Sequence, residues 1–502
     1  MTAATGAPAV AEGRRFAVNC VVMLPTVMHS VDITIAAVAL PSIQGALSAT
    51  QDQISWILTS YVVAVAIVTP ATGWLAARLG RRRLFLGSVA GFTAVSVFCG
   101  LASSLDEILL YRFLQGAFGA GLIPLSQAVI LDTYPREEHS RAMAIWGVGV
   151  MAGPIIGPTL GAYLTEYMGW HWVFFINLPI GVAAFLGIWT LVPETERDLG
   201  RAFDVFGFLA LAGALGCLQL VMDRGERLDW FADPMIVGGC VAAGIAFYWF
   251  VVHSATVERP FLSPAMFRNR NFVGGLVLGF GAHVSLYATV ALTPPLLQNV
   301  LNYPVLTSGF LFIPRAVGTL LGMFVVSRVP KTTDPRVLML LGLALAAYGL
   351  WEMTHFTLDV SESAIVWSGF VLGLGLGLVF VPASTITFST LPKALRTEGT
   401  GVYAVVRSLG ASLGISVFVT LLVRDIQAQR ASLVEAVSPY NPFLSEAWQQ
   451  GGAGLSRLSG TIDRQAEMTA YVNDFFWIMI ATLAVIPLVA LVRPPKPGSD
   501  PR

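Results

Sequence analysis

The chain has 502 residues, 55% of them hydrophobic and 12% charged, where a soluble domain carries roughly 25% charged residues. Its 30 basic residues balance its 30 acidic ones, so there is no electrostatic case for nucleic acid as a partner. Cys20, Cys99, Cys217 and Cys240 each fall in a different apolar run, a spacing that suggests neither a disulfide framework nor a zinc site.

A short polar start with Arg14 and Arg15 leads into a run too long for a cleaved signal, which predicts a retained first span. About fourteen runs approach the ~20 apolar residues that cross a bilayer. The first eight are Phe16–Leu40, Ile54–Ala76, Leu84–Ser103, Ile108–Leu131, Arg141–Leu164, Trp172–Val192, Val205–Met222 and Pro234–His253. Phe272–Thr293, Thr307–Val326, Val337–His355, Ser363–Thr385, Val402–Leu422 and Phe475–Leu491 complete the set. The expected class is an all-α polytopic membrane protein. Of the 30 Lys and Arg, 21 fall on the N-terminal segment and every second segment after it, 6 on the alternate ones. Lys and Arg resist translocation, so both termini are expected in the cytoplasm.

The polar stretch from Arg424 to about Asn473 is the longest connection and is expected on the outer side. Asn441-Pro442 reads as a helix start, with Phe443, Leu444 and Trp448 behind it, and Gly451-Gly452 as a break. Long connections of this kind usually have a role. It reads as a docking element for a partner or as a cap over a cavity mouth. The proline-rich end from Arg493 to Arg502 reads as a disordered tail.

The fifth run places Gly149, Gly153, Gly157 and Gly161 on one helical stripe, with Pro158 inside it. Such a stripe lets another backbone approach closely. It is expected either to pack tightly or to form a surface on which two bundles slide. Glycine is dense again at Gly369, Gly373, Gly375 and Gly377.

Charges within the bilayer are costly and mark functional candidates. Asp32, about sixteen residues into the first run, is the one carboxylate read as deep in a span. It is expected to exchange a proton or to pair with a buried arginine. Arg112, Gln115 and Gly116 share a face of the fourth span, and Arg112 needs a polar cavity or a carboxylate. Arg315 and Arg407 read as nearer a cytoplasmic edge, where they could snorkel. His29 and His283 read as isolated packing or hydrogen-bonding residues. No G-x-x-x-x-G-K-[ST] occurs, so uphill work would come from an ion gradient.

Several motifs in order resemble the major facilitator superfamily, in particular its fourteen-span drug:proton antiporters of the EmrB/QacA type. Asp32-Ile-Thr34-Ile-Ala-Ala37-Val-Ala-Leu40-Pro41 resembles D-x-T-I-V-N-V-A-L-P, departing at Ala37. Gly73-Trp-Leu-Ala-Ala77-Arg78-Leu-Gly80-Arg81-Arg82-Arg83 resembles the loop motif G-x-L-a-D-r-x-G-r-k, with Ala77 replacing the acid of the inner-gate salt bridge. Leu110-Tyr-Arg112-Phe-Leu-Gln115-Gly116 resembles the fourth-span arginine motif. Gly153 to Ala162 resembles the exporters' G-x-x-x-G-P-x-x-G-G. Trp170 to Gly181 and Arg407 to Gly414 fit the same group, while Leu122–Gln127 and Asp223–Phe231 are closer to the EmrB branch.

The resemblance implies two six-helix bundles around a midplane cavity, at 1–200 and 261–502, with two inserted spans at 201–260. It implies proton-driven export of hydrophobic or amphipathic compounds across an inner membrane, without a cofactor. Asp32 and Arg112 would couple protons. Thr34, Gln115, His283, Arg315 and Arg407 would line the cavity or its network. Gly73, Arg78, Gly80 and the fifth-span glycines would serve gating and packing. Implied partners are lipophilic substrates, a periplasmic adaptor of the EmrA kind and an outer-membrane channel of the TolC kind. Export of an endogenous fatty acid or metabolite is an alternative within the class. A membrane enzyme or receptor is the alternative outside it, and the clustered ligands either would need are not evident.

Overall fold

The computed structural model describes residues 12–135, 138–195, 197–198, 200, 202–329, 333–392, 395–435, 437 and 451–493. They form fourteen long helices, in places broken by a tight turn. The first half holds α1 (Gly13–Leu47), α2 (Gln53–Leu79), α3 (Arg81–Leu101), α4 (Leu105–Thr133), α5 (His139–Tyr167), α6 (Trp172–Leu191) and α7 (Val205–Arg224). Next come α8 (Pro234–Thr256), α9 (Arg270–Val300), α10 (Thr307–Arg328), α11 (Pro335–Met353) and α12 (Glu362–Ser389). The last two are α13 (Arg396–Glu435) and α14 (Gly454–Leu491). Thirteen are long and apolar enough to span a membrane, and α5 adds a fourteenth rod of 29 residues. The fourteen-span reading agrees with this architecture.

Helix is the form these apolar runs take because each backbone N–H then bonds within its own segment, where no water can serve it. Polar residues start the helices. Thr50 and Gln53 make a reciprocal capping box on α2, and Ser104, Asp204, Asp233, Asn269, Asp334 and Ser361 cap later helices. Proline marks the breaks: α2 tightens at Thr69–Ala71 around Pro70, and α9 loosens into a π turn at Leu296–Val300 after Pro294 and Pro295.

Helices α1 to α6 pack on one another, as do α9 to α14. Helix α7 lies against α8, α2 and α13, whereas α8 makes its main contact with α7. Asp204 ties this pair to the chain beyond it, accepting hydrogen bonds from the Gly207 amide, the Phe261 amide and His253. The two six-helix groups meet where α5 crosses α10 and α12, and where α13 crosses α2 and α4.

The glycine stripe of α5 faces α1, within its own group, which corrects the expectation of a sliding surface between bundles. A Cβ on Gly153 would stand 2.2 Å from the Ser30 carbonyl oxygen, and one on Gly157 1.9 Å from Thr34 Oγ1. Ser30 Oγ donates to the Val150 carbonyl at 2.7 Å and Thr34 Oγ1 to the Gly153 carbonyl at 3.0 Å. Contact with the other group comes from elsewhere on α5, where Gly147 meets Met323. Pro158 lies within α5. Helix α12 is seated in the same way, its Gly373 and Gly377 against the Arg315 and Thr319 carbonyls of α10 and its Gly375 against Gly342 of α11.

The described residues of the long polar connection are largely helix. At 40 and 38 residues, α13 and α14 run to about 60 Å and 57 Å at 1.5 Å per residue, far beyond a ~30 Å hydrocarbon core. Their extensions pair through Arg430 and Asp463 at 2.6 Å and Asn473 and Asp425 at 3.4 Å. The helix that runs into α14 starts at Gly451, so Gly451-Gly452 stands at a helix start. Residues 438–450, with Asn441, Phe443, Leu444 and Trp448, lie outside the described residues, as does the tail from 494.

Gly157→Leu is expected to push α1 and α5 apart and destabilise the protein by about 1–3 kcal/mol, the range for overpacking. Its thermal melt in detergent should fall by several degrees, and an unchanged melt would show that the seam accommodates a side chain.

Candidate functional site

Asp32 is fully buried on α1. Its Oδ2 accepts from Arg112 Nη1 at 2.7 Å, and its Oδ1 from Gln115 Nε2 at 3.0 Å and Asn177 Nδ2 at 2.8 Å. Arg112 also donates to Gln115 Oε1 at 2.8 Å, and its guanidinium lies 4.3 Å from the centre of the Tyr61 ring. Asn177 reaches Ser96 Oγ at 3.0 Å. Donors from α4 and α6 thus meet on the α1 carboxylate, and α2 and α3 join the cluster through Tyr61 on Arg112 and Ser96 on Asn177. Such a site is a desolvated ion pair held by neutral donors, an arrangement that persists only when each partner is satisfied.

A polar track leads along the same face of α1, since Thr26, His29 and Asp32 follow one another at three-residue spacing. His29 Nδ1 shares a 2.8 Å hydrogen bond with Tyr61. Thr26 meets Ser126 at 3.0 Å, and Trp146 Nε1 donates to both. Trp146 in turn lines a cleft of about 410 Å³ between the two six-helix groups. Gln127, His283, Phe380, Tyr403 and Arg407 also line it. Gln127 is buried with neither amide atom hydrogen-bonded within the protein. Arg407 Nε donates to His283 Nε2 at 2.8 Å, so His283 Nδ1 carries the hydrogen that faces the Gly279 carbonyl at 2.8 Å. Arg407 is the one charged side chain among the described residues of this lining.

At the face where α1 begins and α14 ends, the two groups are joined by charge. Arg81 Nη1 contacts Asp132, and Arg396 Nη1 reaches the same carboxylate at 3.4 Å. Arg81 Nη2 also donates to Thr397 Oγ1 at 2.8 Å. Asp132 ends α4 and Arg396 begins α13, so the cluster spans the two halves. Gly73 allows α2 to touch this joint, because a Cβ there would stand 2.8 Å from the Glu398 Cα. Gly80 turns the chain between α2 and α3 at φ +88°, a left-handed value that favours glycine. Ala77 therefore does not leave this face without an ionic contact between the halves.

The structure brings Asp32, Arg112 and Gln115 together and sends Thr34, about 200° further round α1, to the seam with α5. His283 and Arg407 stand in the cleft. Arg315 is 5% exposed, with Nη2 on the Leu286 carbonyl and Thr289 Oγ1. Arg315 and Arg407 thus bond to residues near the middle of α9, which corrects their placement at a cytoplasmic edge. Arg78 is exposed beside Trp74. Asn177, Ser96, Tyr61 and Gln127 were not among the sequence candidates. His29 had a legible signal in its position one turn before Asp32.

This architecture, two six-helix groups around a cleft with a buried ion pair in the first group, is that of a membrane transporter. The chain belongs to the Major Facilitator Superfamily, whose family model matches residues 22–415. It is 33% identical over 494 residues to "Multidrug export protein EmrB" of Escherichia coli (strain K12), covering 96% of each chain. It is 32% identical over 483 residues to "Fatty acid resistance protein FarB" of Neisseria gonorrhoeae, covering 94% of this chain and 95% of that one. The solved structure of the proton:xylose symporter XylE shares the fold with a TM-score of 0.62 at 13% identity, over 95% of this chain and 97% of that one.

Asp132→Ala would leave Arg81 and Arg396 without their shared carboxylate. Spin labels on the ends of α3 and α13 at this face should then report a longer or broader distance distribution by pulsed electron resonance. A distribution identical to wild type would mean that apolar packing alone holds the face.

Proposed function

We propose that this protein exports hydrophobic or amphipathic compounds, drugs and toxicants among them, across an inner membrane in exchange for protons. Residues 1–200 and 261–502 would act as the two moving halves around the cleft, with 201–260 as an insertion. Both termini would face the cytoplasm. The observation that carries the reading is Asp32, a sealed carboxylate joined by a polar track to the cleft between those halves. Protonating Asp32 would remove its charge from Arg112 and loosen the point on which five helices converge. That is a way for a proton to bias one arrangement of the bundle over another. The Gln127 amide and the apolar cleft walls would contact substrate. The similarity to EmrB supports drugs as cargo, and that to FarB supports fatty acids as the alternative.

Asp32→Asn keeps the size and some hydrogen bonds of the side chain but cannot exchange a proton. In proteoliposomes it is expected to lower gradient-driven export at least tenfold, with the melting temperature near wild type. Export that keeps its normal rate and pH dependence would move coupling to another group.

The paired extensions of α13 and α14, with the residues between them, would dock an adaptor of the EmrA kind that leads to a channel of the TolC kind. Deleting the extensions and rejoining the helices by a short Gly/Ser linker separates the two readings of this hairpin. Docking predicts lost resistance in whole cells and preserved transport in proteoliposomes. Failure of both, in a protein shown to be folded, would favour the cap.

A further inference from the structure

The segment Asp223–Phe231, at the end of α7, is used neither by the Asp32 centre nor by the cleft. It reaches both six-helix groups. Asp223 accepts a hydrogen bond from Thr59 Oγ1 of α2, and the Arg224 guanidinium lies 3.9 Å from the centre of the Trp56 ring on the same helix. On the other side are two contacts with α13. Gln219 Nε2 donates to Ser412 Oγ at 2.7 Å, and Trp230 Nε1 donates to Thr420 Oγ1 at 2.9 Å. Since α2 belongs to the first group and α13 to the second, one inserted helix holds both.

The turn that places Trp230 is strained. Asp229 and Trp230 follow one another at φ +52° and +53°, a left-handed region that a bulky side chain occupies only when its surroundings compel it. The Trp230 amide closes the turn on the Gly225 carbonyl at 2.7 Å. The indole folds over Gly225, where a Cβ would stand 2.8 Å from the ring, and so arrives at Thr420.

Thr420 lies about 36 Å along α13 from Arg396 at 1.5 Å per residue, and Trp56 and Thr59 stand in the first turns of α2. These contacts are therefore at the face opposite the Arg81–Asp132–Arg396 joint. Direct packing of α13 on α2 runs mainly over residues 69–79 of α2, toward that joint. Nearer the opposite face, α7 lies against both helices. Toward α2 it brings two charged side chains and a close seam at Gly216, whose Cβ would stand 3.1 Å from Ile67. Toward α13 it makes the two neutral hydrogen bonds. Such bonds exchange for bonds to water at modest net cost, so the α13 side is the one that can release.

We propose that α7 and the turn after it form a clasp that holds α2 and α13 together at this face. The clasp rides with the first group and lets go of Ser412 and Thr420 when the cleft opens there. This rests on the reading that the two halves move, and not on proton coupling or on the cargo.

The test is pulsed electron resonance on the full chain in nanodiscs, with its four cysteines replaced by alanine. Spin labels are placed in pairs on the ends of α2, α7 and α13 at this face. Trp230→Phe keeps a ring over Gly225 but not the donor, and Gln219→Leu removes the other contact. In each variant the long component of the α2–α13 and α7–α13 distances should grow at least threefold over wild type, with the α2–α7 distance unchanged. Gln219→Leu decides the matter should Trp230→Phe fail to fold. Distances identical to wild type in the folded variants, or a long component between α2 and α7, would overturn the clasp. Labels on the ends of α3 and α13 at the joint tell this failure from that of the moving halves. Two distances there in wild type discard the clasp alone, and a single distance at both faces in every variant discards both.

Discussion

Taking a carboxylate and a guanidinium out of water costs several kcal/mol for each ion, and their attraction returns this only when the remaining donors and acceptors are met. The Asp32 carboxylate meets that condition with donors from Arg112, Gln115 and Asn177, while Arg112 Nη2 has no acceptor and its guanidinium lies against the Tyr61 ring. Five of the first six helices are consequently organised about a point as well as along seams. Their register is set by which turn of each helix brings a donor to that point. Lipid offers no hydrophobic drive between apolar helices, so close packing and polar contacts of this kind decide which helices associate.

The second group solves the same packing problem by another route. Its central helix, α12, is seated between α10 and α11 by glycines that let backbones touch, and polar contacts are sparser. Thr482 and Ser285 share a hydrogen bond of 2.8 Å between α14 and α9, and Arg315 sits over Thr289. The second half also buries Asp474 of α14, neither carboxylate oxygen of which has a hydrogen-bond partner. Between the two groups, the Arg81–Asp132–Arg396 contact joins the halves at one face, with both arginines buried and Asp132 exposed.

The helical hairpin of α13 and α14 illustrates where reading by composition stops. Its residues are polar because they project past the apolar layer, and polar composition alone does not distinguish loop from solvated helix. The ion pair between Arg430 and Asp463, 33 residues apart, joins two helices that no local pattern relates. The glycine stripe is a second case. Four-residue spacing showed that Gly149, Gly153, Gly157 and Gly161 share one face, but not that the face belongs to α1.

The sequence by itself determined the membrane-spanning class, the positions of the spans and the transporter family. It also brought out Asp32, Arg112 and Gln115 as a candidate group. These depend on local quantities: the length of an apolar run, the depth of a charge within it and helical periodicity. Partners were decided by the tertiary structure. Asn177 became a donor to Asp32 and Ser96 an acceptor for Asn177, Asp132 took the place of an acid absent at Ala77, and Arg315 moved from a membrane edge to the interior of the second group. Each depends on which helix faces which, and that is set by close packing and charge pairing between segments far apart in the chain.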